Sequence, residues 1–357
     1  MAPTIYDVAR RAGVSIATVS RAVNNHDGLR PQTRARVLAA VEELGYTPDA
    51  TARGLSSGSR GTVGLLFINR AREALLDAND RAWETEHEAL LFDHDVTRGA
   101  LRCAQLEGYA LLIASVDSMS SSPAAKEMLG RVDGIVVVDR AVSAETLAWL
   151  SRRKPVVALA WERPIADETV LRIDNRDSMT ELVMHLVRLH RYPQLGIIGG
   201  PLTSSDAIDR LACVHEVARL GGAEVVELGH GDYSAASGSR LVESWLVANG
   251  ALPRAVMCMN DQMATGVLAT LEQNSIAVPE QCALTGFDDI LVSRYLRPAL
   301  TTIRQPAEEL GSLAVMTILE ALHEQGGTAR EIVLRTEVVI RASCGCAPQQ
   351  QQPQRVL

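Results

Sequence analysis

Thr4-Ile5-Tyr6-Asp7-Val8-Ala9-Arg10-Arg11-Ala12-Gly13-Val14-Ser15-Ile16-Ala17-Thr18-Val19-Ser20-Arg21 is the stretch from which the rest of the chain is best read. Its spacing predicts two short helices joined by a tight turn. Thr4 is placed to cap the first helix, and Asp7, three residues on, completes a capping-box pattern beside the helix's positive end. Ile5, Val8, Ala9 and Ala12 fall on one helical face. Gly13 supplies the turn, where a residue without a Cβ tolerates left-handed dihedrals. Ser15 can cap a second helix whose Val19 and Val23 point back at the first. That leaves Ile16, Ala17, Ser20 and Arg21 facing outward. Small and apolar residues beside an arginine suit a DNA major groove, where thymine methyls accept apolar contact and an arginine grips guanine O6 and N7. An ordinary helical hairpin is the competing reading of this pattern taken alone.

The wording is closer than a generic helix pair. Thr4-Ile5-x-Asp7-Val8-Ala9, Ala12-Gly13-Val14-Ser15 and Ala17-Thr18-Val19-Ser20-Arg21 resemble the opening of the lactose-repressor (LacI/GalR) family of bacterial transcription regulators. The resemblance continues through Val37-Leu38-Ala39-Ala40, Glu42-Glu43-Leu44-Gly45-Tyr46, Pro48 and Ala52-Arg53-Gly54-Leu55, and recurs over nearly the whole chain. It implies a helix-turn-helix headpiece over residues 1–46, a hinge helix and linker over 47–60, a two-lobed effector-binding and dimerisation core over 61–343, and a disordered tail over 344–357. The core it implies is α/β, with parallel sheets carrying helices on both faces, and resembles periplasmic binding proteins. DNA contacts are implied from Thr4, Tyr6, Ser15, Ile16, Ala17, Thr18, Ser20 and Arg21, and from Asn24, Arg30, Thr33, Tyr46, Ala52 and Leu55. In the family the residue matching Leu55 wedges between two central base pairs, where unstacking is offset by contacts with bent DNA. The implied protein is a repressor: a homodimer on a palindromic double-stranded operator, responsive to a small polar effector, with no enzymatic activity, no cofactor and no membrane partner.

Charge distribution agrees with a DNA-binding end. The 357 residues are 47% hydrophobic, enough for two or three domains, and the net charge is −8. Residues 1–60 nevertheless carry eight arginines against five acidic residues, giving +3, so the remainder carries −11. A basic head on an acidic body focuses phosphate attraction at one end. Six cysteines are scattered, without paired zinc-finger spacing, and no apolar run reaches membrane-spanning length. With no signal peptide evident, the expectation is a cytoplasmic protein with reduced thiols.

Beyond the hairpin, Asn24-Asn25-His26-Asp27-Gly28 reads as a polar loop. Pro31 opens a third helix with a stripe of Val37, Leu38, Val41 and Leu44. The family usually has serine where Arg30 stands, so a capping hydroxyl is exchanged for a possible phosphate contact. From Gly61 onward strands are predicted at 63–67, 110–114, 134–138, 156–159, 195–198, 224–228, 255–259 and 282–285. Helices are predicted at 99–107, 177–189, 206–220, 235–248 and 261–274. Such alternation means parallel sheets with crossover helices, and the strand number points to two stacked lobes. No Gly-rich phosphate loop follows a strand, which excludes a nucleotide-binding reading.

Ligands of open α/β sheets bind beyond the carboxyl ends of the strands. Asn260, Asp288, Arg210 and Tyr233 are predicted there, and the resemblance assigns all four to the effector cleft. Their chemistry suits a sugar or nucleoside: carboxylate and amide for vicinal hydroxyls, a planar guanidinium fork, and a stacking face. Asp289 reads equally as a helix cap or a ligand. Glu162 stands where the family commonly has an aspartate at the lobe crossover, and the resemblance places it with the effector-binding residues. The family's Pro-Asp-x-x-Asn-Pro-Phe-Phe is absent, and the longer stretch Asn69 to Asp95 replaces it, so effector class does not carry over. Within it His87 and His94 lie among carboxylates; a metal site is conceivable there, but a solvated acidic helix is the preferred reading. Cys344-Gly345-Cys346 reads as an inert end to the last strand. The glutamine-rich tail lacks the heptad leucines of a tetramerising bundle. The rival class, an enzyme or a transport-type binding protein on the same core, has only the pair Asp288-Asp289 for acid–base chemistry and no use for an exposed Arg21.

Overall fold

The computed structural model describes residues 3–23, 28–46, 59–68, 91–116, 123–138, 142–161, 168–323 and 330–347. They fall into two units, Met1–Gly61 and Thr62–Leu357. The first holds helices α1 (Ile5–Ala12), α2 (Ile16–Val23) and α3 (Pro31–Leu44). The Asp7 carboxylate accepts from the Thr4 backbone N–H at 3.0 Å and the Thr4 hydroxyl at 2.7 Å, fixing the start of α1. Gly13 turns the chain at φ 62°, and Ser15 Oγ accepts from the Thr18 N–H at 3.2 Å to cap α2. Val8, Ala9, Ala12, Val19, Ala22, Val37 and Ala40 form the core. The reading of α3 needs one correction: Leu38 is 46% exposed. It lies about 100° round the helix from Val37, and Ala40, three positions on, takes the buried place. An Arg11–Glu43 ion pair at 2.7 Å joins α1 to α3.

The second unit is built on two parallel sheets. Its strands are β1 (Thr62–Ile68), β2 (Ala110–Val116), β3 (Gly134–Val138), β4 (Val156–Leu159), β5 (Thr169–Ile173) and β6 (Gln194–Gly199). They continue with β7 (Glu224–His230), β8 (Ala255–Cys258), β9 (Ala283–Thr285), β10 (Thr302–Arg304), β11 (Glu331–Leu334) and β12 (Glu337–Val339). The first sheet has the order β11-β5-β4-β3-β1-β2 and the second β7-β6-β8-β9. Every pairing within them is parallel, while β10 and β12 form a small antiparallel ribbon. β3 and β4 are unbroken apolar runs buried at every position, as strands covered on both faces must be.

Helices α4 (Leu91–Leu106), α5 (Pro123–Leu129), α6 (Ala144–Ser151), α7 (Asp177–Met184), α8 (Ser205–Gly221), α9 (Ala235–Asn249), α10 (Asp261–Gln273) and α11 (Ala307–His323) flank the sheets. α4 and α11 touch backbone to backbone. A Cβ on Gly99 would lie 1.9 Å from the Glu308 carbonyl oxygen, and one on Gly311 2.0 Å from that of Val96. α4 begins at Leu91, eight residues before the predicted start. The helix predicted over 177–189 is α only to Met184 and continues as a π turn, His185–Leu189.

The chain leaves the first sheet after β5 and enters the second at β6. It returns by way of β10 and α11 to β11, then crosses again to β12. The first passage therefore follows Ile173 and does not fall at residues 161–164, because β5 pairs with β4 in the first sheet. Among the described residues all six cysteines are free, and no helix is long and apolar enough to cross a membrane.

Candidate DNA interface and effector cleft

In the first unit, burial of Val19 and Ala22 on one side of α2 leaves the opposite side to solvent. Ile16 is 39% exposed, Ala17 and Arg21 are exposed, and Ser20 is half-buried. Thr4 and Ser15 are exposed but engaged in the helix caps, and the Thr18 hydroxyl shares a hydrogen bond of 2.9 Å with Ser15. Tyr6 and Arg30 are exposed, Thr33 is half-buried, and Tyr46 packs against the headpiece core. Arg30 opens α3 without a side-chain cap, ahead of Pro31. Asn24, Ala52, Leu55 and the rest of segment 47–58 lie outside the described residues.

In the second unit a cleft opens between the lobes, beyond the carboxyl ends of β4, β6, β7, β8 and β9. Phe92, Asp93 and Ala160 line it from the first lobe, Ser204, Asp206, Arg210, Tyr233, Asn260, Gln262 and Asp288 from the second, and Gln305 from the connection after β10. The four described residues proposed from the sequence are thus brought together; Glu162 and His87 lie outside the described residues. His94 is largely exposed on α4, beside Asp95 at 3.6 Å.

Much of this lining is fixed before any ligand arrives. The Arg210 guanidinium stacks 3.5 Å from the Phe287 ring centroid. It donates to Asn175 Oδ1 at 2.8 Å and the Met259 carbonyl at 2.9 Å, and lies 3.9 Å from Asp206. Asn260 spends both ends of its amide on structure. Its Oδ1 accepts from the Met263 N–H at 2.9 Å, capping α10, and its Nδ2 donates to the Tyr233 carbonyl at 2.9 Å. The Tyr233 hydroxyl donates to Ser204 Oγ at 3.1 Å. Gly200 makes room for that ring, since a Cβ there would lie 2.6 Å from it. Ala160, Tyr233 and Asp288 all have positive φ (57°, 73° and 118°) and all line the cleft. Such backbone costs about 1–3 kcal/mol per residue and collects at binding sites.

Asp288 and Asp289 turn to opposite sides. Asp288 accepts from Gln305 Nε2 at 2.5 Å and faces the cleft; burial raises its carboxyl well above the ordinary range, against the pull of Arg210. Asp289 is neither cap nor ligand. Its fully buried carboxylate is clasped by Arg304 at 2.8 Å, Arg294 at 3.3 Å and Arg341. This removes the acid–base pair that an enzyme reading needed. Phe92, Asp93, Ser204, Asp206, Gln262 and Gln305 escaped the sequence reading. For Phe92 and Asp93 the signal was their place near the end of the replaced stretch Asn69 to Asp95; both line the cleft from the first turn of α4. The Leu91 N–H donates to Gln262 Oε1 at 2.7 Å and joins the two lobes there.

A capped helix-turn-helix unit, followed by a two-lobed parallel-sheet core with a polar interlobe cleft, defines a ligand-responsive DNA-binding regulator. Comparison with known proteins agrees. Residues 4–49 match the family described as bacterial regulatory proteins, lacI family, and residues 183–344 match a periplasmic binding protein-like domain. The HTH-type transcriptional repressor PurR of Escherichia coli O1:K1 is 30% identical over 352 residues, covering 97% of this chain and 98% of that protein. The Lac repressor dimer bound to operator and the anti-inducer ONPF superposes with a TM-score of 0.79 at 26% identity, covering 96% of this chain and 99% of the other. The Lac repressor bound to ONPG in the repressed state gives 0.80 at 26% identity, with 96% and 100% covered. The chain belongs to the LacI family of bacterial regulatory proteins. It is a DNA-binding transcriptional repressor that responds to a ligand, and not an enzyme.

Proposed function

We propose that the chain represses transcription as a homodimer on a near-palindromic operator, and that the ligand setting its DNA affinity is a neutral polyhydroxylated metabolite, a sugar. The observation that carries the effector class is the charge balance of the cleft. Among the described lining residues, Asp93, Asp206 and Asp288 face a single arginine whose donors are already partly spent on Asn175 and Met259. An anionic ligand would meet the Asp93 and Asp206 carboxylates with one described cation to answer them, while hydroxyl groups find hydrogen-bond partners in these and in Asp288, and the Phe92 and Tyr233 rings offer apolar faces. Dimer formation is supported by the Lac repressor, whose operator-bound form is a dimer.

On the DNA side Arg21, Ile16, Ala17 and Ser20 are proposed to read bases, with Arg30 and the remaining headpiece residues named above on the backbone. Ligand between the lobes changes the angle between them and biases the hinge segment 47–60; a coupling of about 1–3 kcal/mol is enough to change operator affinity 5- to 150-fold. Isothermal titration with a panel of neutral sugars and their phosphorylated counterparts tests the effector class. At least one neutral sugar is expected to bind, with Asp288→Asn weakening it about tenfold or more. Preference for a phosphorylated or carboxylated ligand would contradict the proposal.

A further inference from the structure

Far from the cleft chemistry, two histidines of the π turn meet two cysteines of the C-terminal segment. His185 Nε2 lies 3.1 Å from His190 Nε2, 3.6 Å from Cys344 Sγ and 3.5 Å from Cys346 Sγ, and Cys346 Sγ is 3.4 Å from His190 Nε2. All four ligand atoms lie within 4.8 Å of one another. Hydrogen bonding does not account for this. A ring nitrogen has either one proton or one lone pair, so His185 Nε2 can satisfy one of its three neighbours and leaves the others crowded. A cation at the centre satisfies all four together. A tetrahedral zinc ion, with Zn–S of about 2.3 Å and Zn–N of about 2.0–2.1 Å, sets sulfur–nitrogen edges of about 3.6 Å and a nitrogen–nitrogen edge of about 3.3 Å. The four edges given above, 3.1 Å between nitrogens and 3.4, 3.5 and 3.6 Å between sulfur and nitrogen, have about this size.

The local backbone is built for the meeting. Residues five apart in an α-helix point about 140° away from each other, so a regular continuation of α7 would separate the two imidazoles. The π turn, closed by a bond from the His190 N–H to the His185 carbonyl at 3.3 Å, brings them to one side. Such wide turns are frequent at functional sites. His-x4-His falls within zinc-ligand spacing. Gly345 lets the two cysteines straddle the histidines: it has φ 102°, and a Cβ there would press on the Tyr192 hydroxyl at 3.1 Å and the His190 ring at 3.4 Å. Tyr192 braces both halves, stacking on His190 (centroids 5.4 Å, 9°) and donating its hydroxyl to the Cys344 carbonyl at 2.9 Å. Supporting contacts of this kind hold metal ligands in position. The expectation that Cys344-Gly345-Cys346 is an inert strand end gives way: β12 stops at Val339, and Cys344 is fully buried in a separate 3₁₀ turn, Ala342–Cys344.

We propose that His185, His190, Cys344 and Cys346 bind a structural zinc ion that pins the C-terminal segment to the second lobe. Two thiolates and two imidazoles are a soft set suited to zinc and unsuited to calcium or magnesium, and four protein ligands complete the coordination without an open catalytic position. The test uses the purified full-length chain. After loading with zinc and exhaustive dialysis, elemental analysis should find a single equivalent per chain. Titration with cobalt(II) alone should give the visible bands of a tetrahedral site with a thiolate charge-transfer band. Cys346→Ser, at the partly exposed cysteine, and His190→Gln, each checked for folding by circular dichroism, should weaken cobalt binding about a hundredfold or more and dim the thiolate band. A wild-type chain that retains no zinc, or folded variants that bind both metals as the wild type does, would overturn the proposal.

Discussion

Asp288 and Asp289 follow one another in the chain, yet one lines the cleft and the other serves the crossover. Asp289 has three arginines around a carboxylate with no exposure, and Arg341 among them is itself buried. Removing one partner of a buried ion pair leaves the other uncompensated, so Asp289→Ala should cost about 3–5 kcal/mol, read as a lower urea midpoint. Asp288 is held by Gln305 and raised by burial, so Asp288→Asn should leave that midpoint unchanged or higher while weakening sugar binding. Equal destabilisation by the two substitutions would contradict this division. In the headpiece the same logic separates Arg21 from Arg30. Arg30→Ala should weaken binding to all DNA sequences alike and reduce the salt dependence by about one unit of slope, as loss of a phosphate contact does.

At the scale of elements, α10 is tied to the crossover through its first residue. Asp261 is fully buried and accepts from Thr302 Oγ1 at 2.6 Å, Ser293 Oγ at 2.7 Å and the Ile290 N–H at 3.0 Å. Burial outweighs these donors and pushes its carboxyl from 3.8 to about 7. The folded value lies above the unfolded one, so its favourable contribution is complete below about pH 4 and lost as pH rises through about 7. Asp288, raised in the same sense, adds to this slope. Urea unfolding should therefore show greater stability at about pH 5 than at about pH 8, and Asp261→Asn should reduce the difference. An unchanged difference would assign the slope to other groups.

Legibility also varied by element. β3 and β4 were plain because their apolar runs are continuous and fully buried. The start of α4 was hidden because Asp93-His94-Asp95 puts charge where a buried stripe was sought, and the stripe itself uses small residues, Gly99, Ala100 and Ala104. β10 and β12 are three residues each, and their pairing joins positions more than thirty residues apart, so no local pattern marks them. Arg210, Tyr233, Asn260 and Asp288 are legible because they come after the ends of predicted strands and match effector-cleft positions of the family the sequence resembles, whereas Gln305 follows the ribbon and carries no such signal. The cluster at His185 was illegible for a related reason. Its cysteines lie about 160 residues downstream, and His-x4-His is out of phase for the α-helix that the sequence suggested.

For the whole molecule, the two lobes are joined by three passages of chain, and the cleft takes side chains from both lobes and from the connection after β10. A ligand filling that cleft would touch both lobes, so its contacts would change with the angle between them, which is the requirement for it to shift an equilibrium. The first sixty positions carry a net charge of +3 and the remainder −11, so the attraction for DNA is expected of the headpiece. The most direct test of this account is selection of the full-length chain and of Arg21→Ala on a randomised DNA pool, followed by affinity measurement on the winning sequences. The wild-type chain should select two inverted half-sites, and Arg21→Ala should lose about 1–3 kcal/mol on that site, with preference relaxed at one base pair in each half. An Arg21→Ala chain that selects the same sequence with undiminished preference would contradict the placement of α2 in the groove.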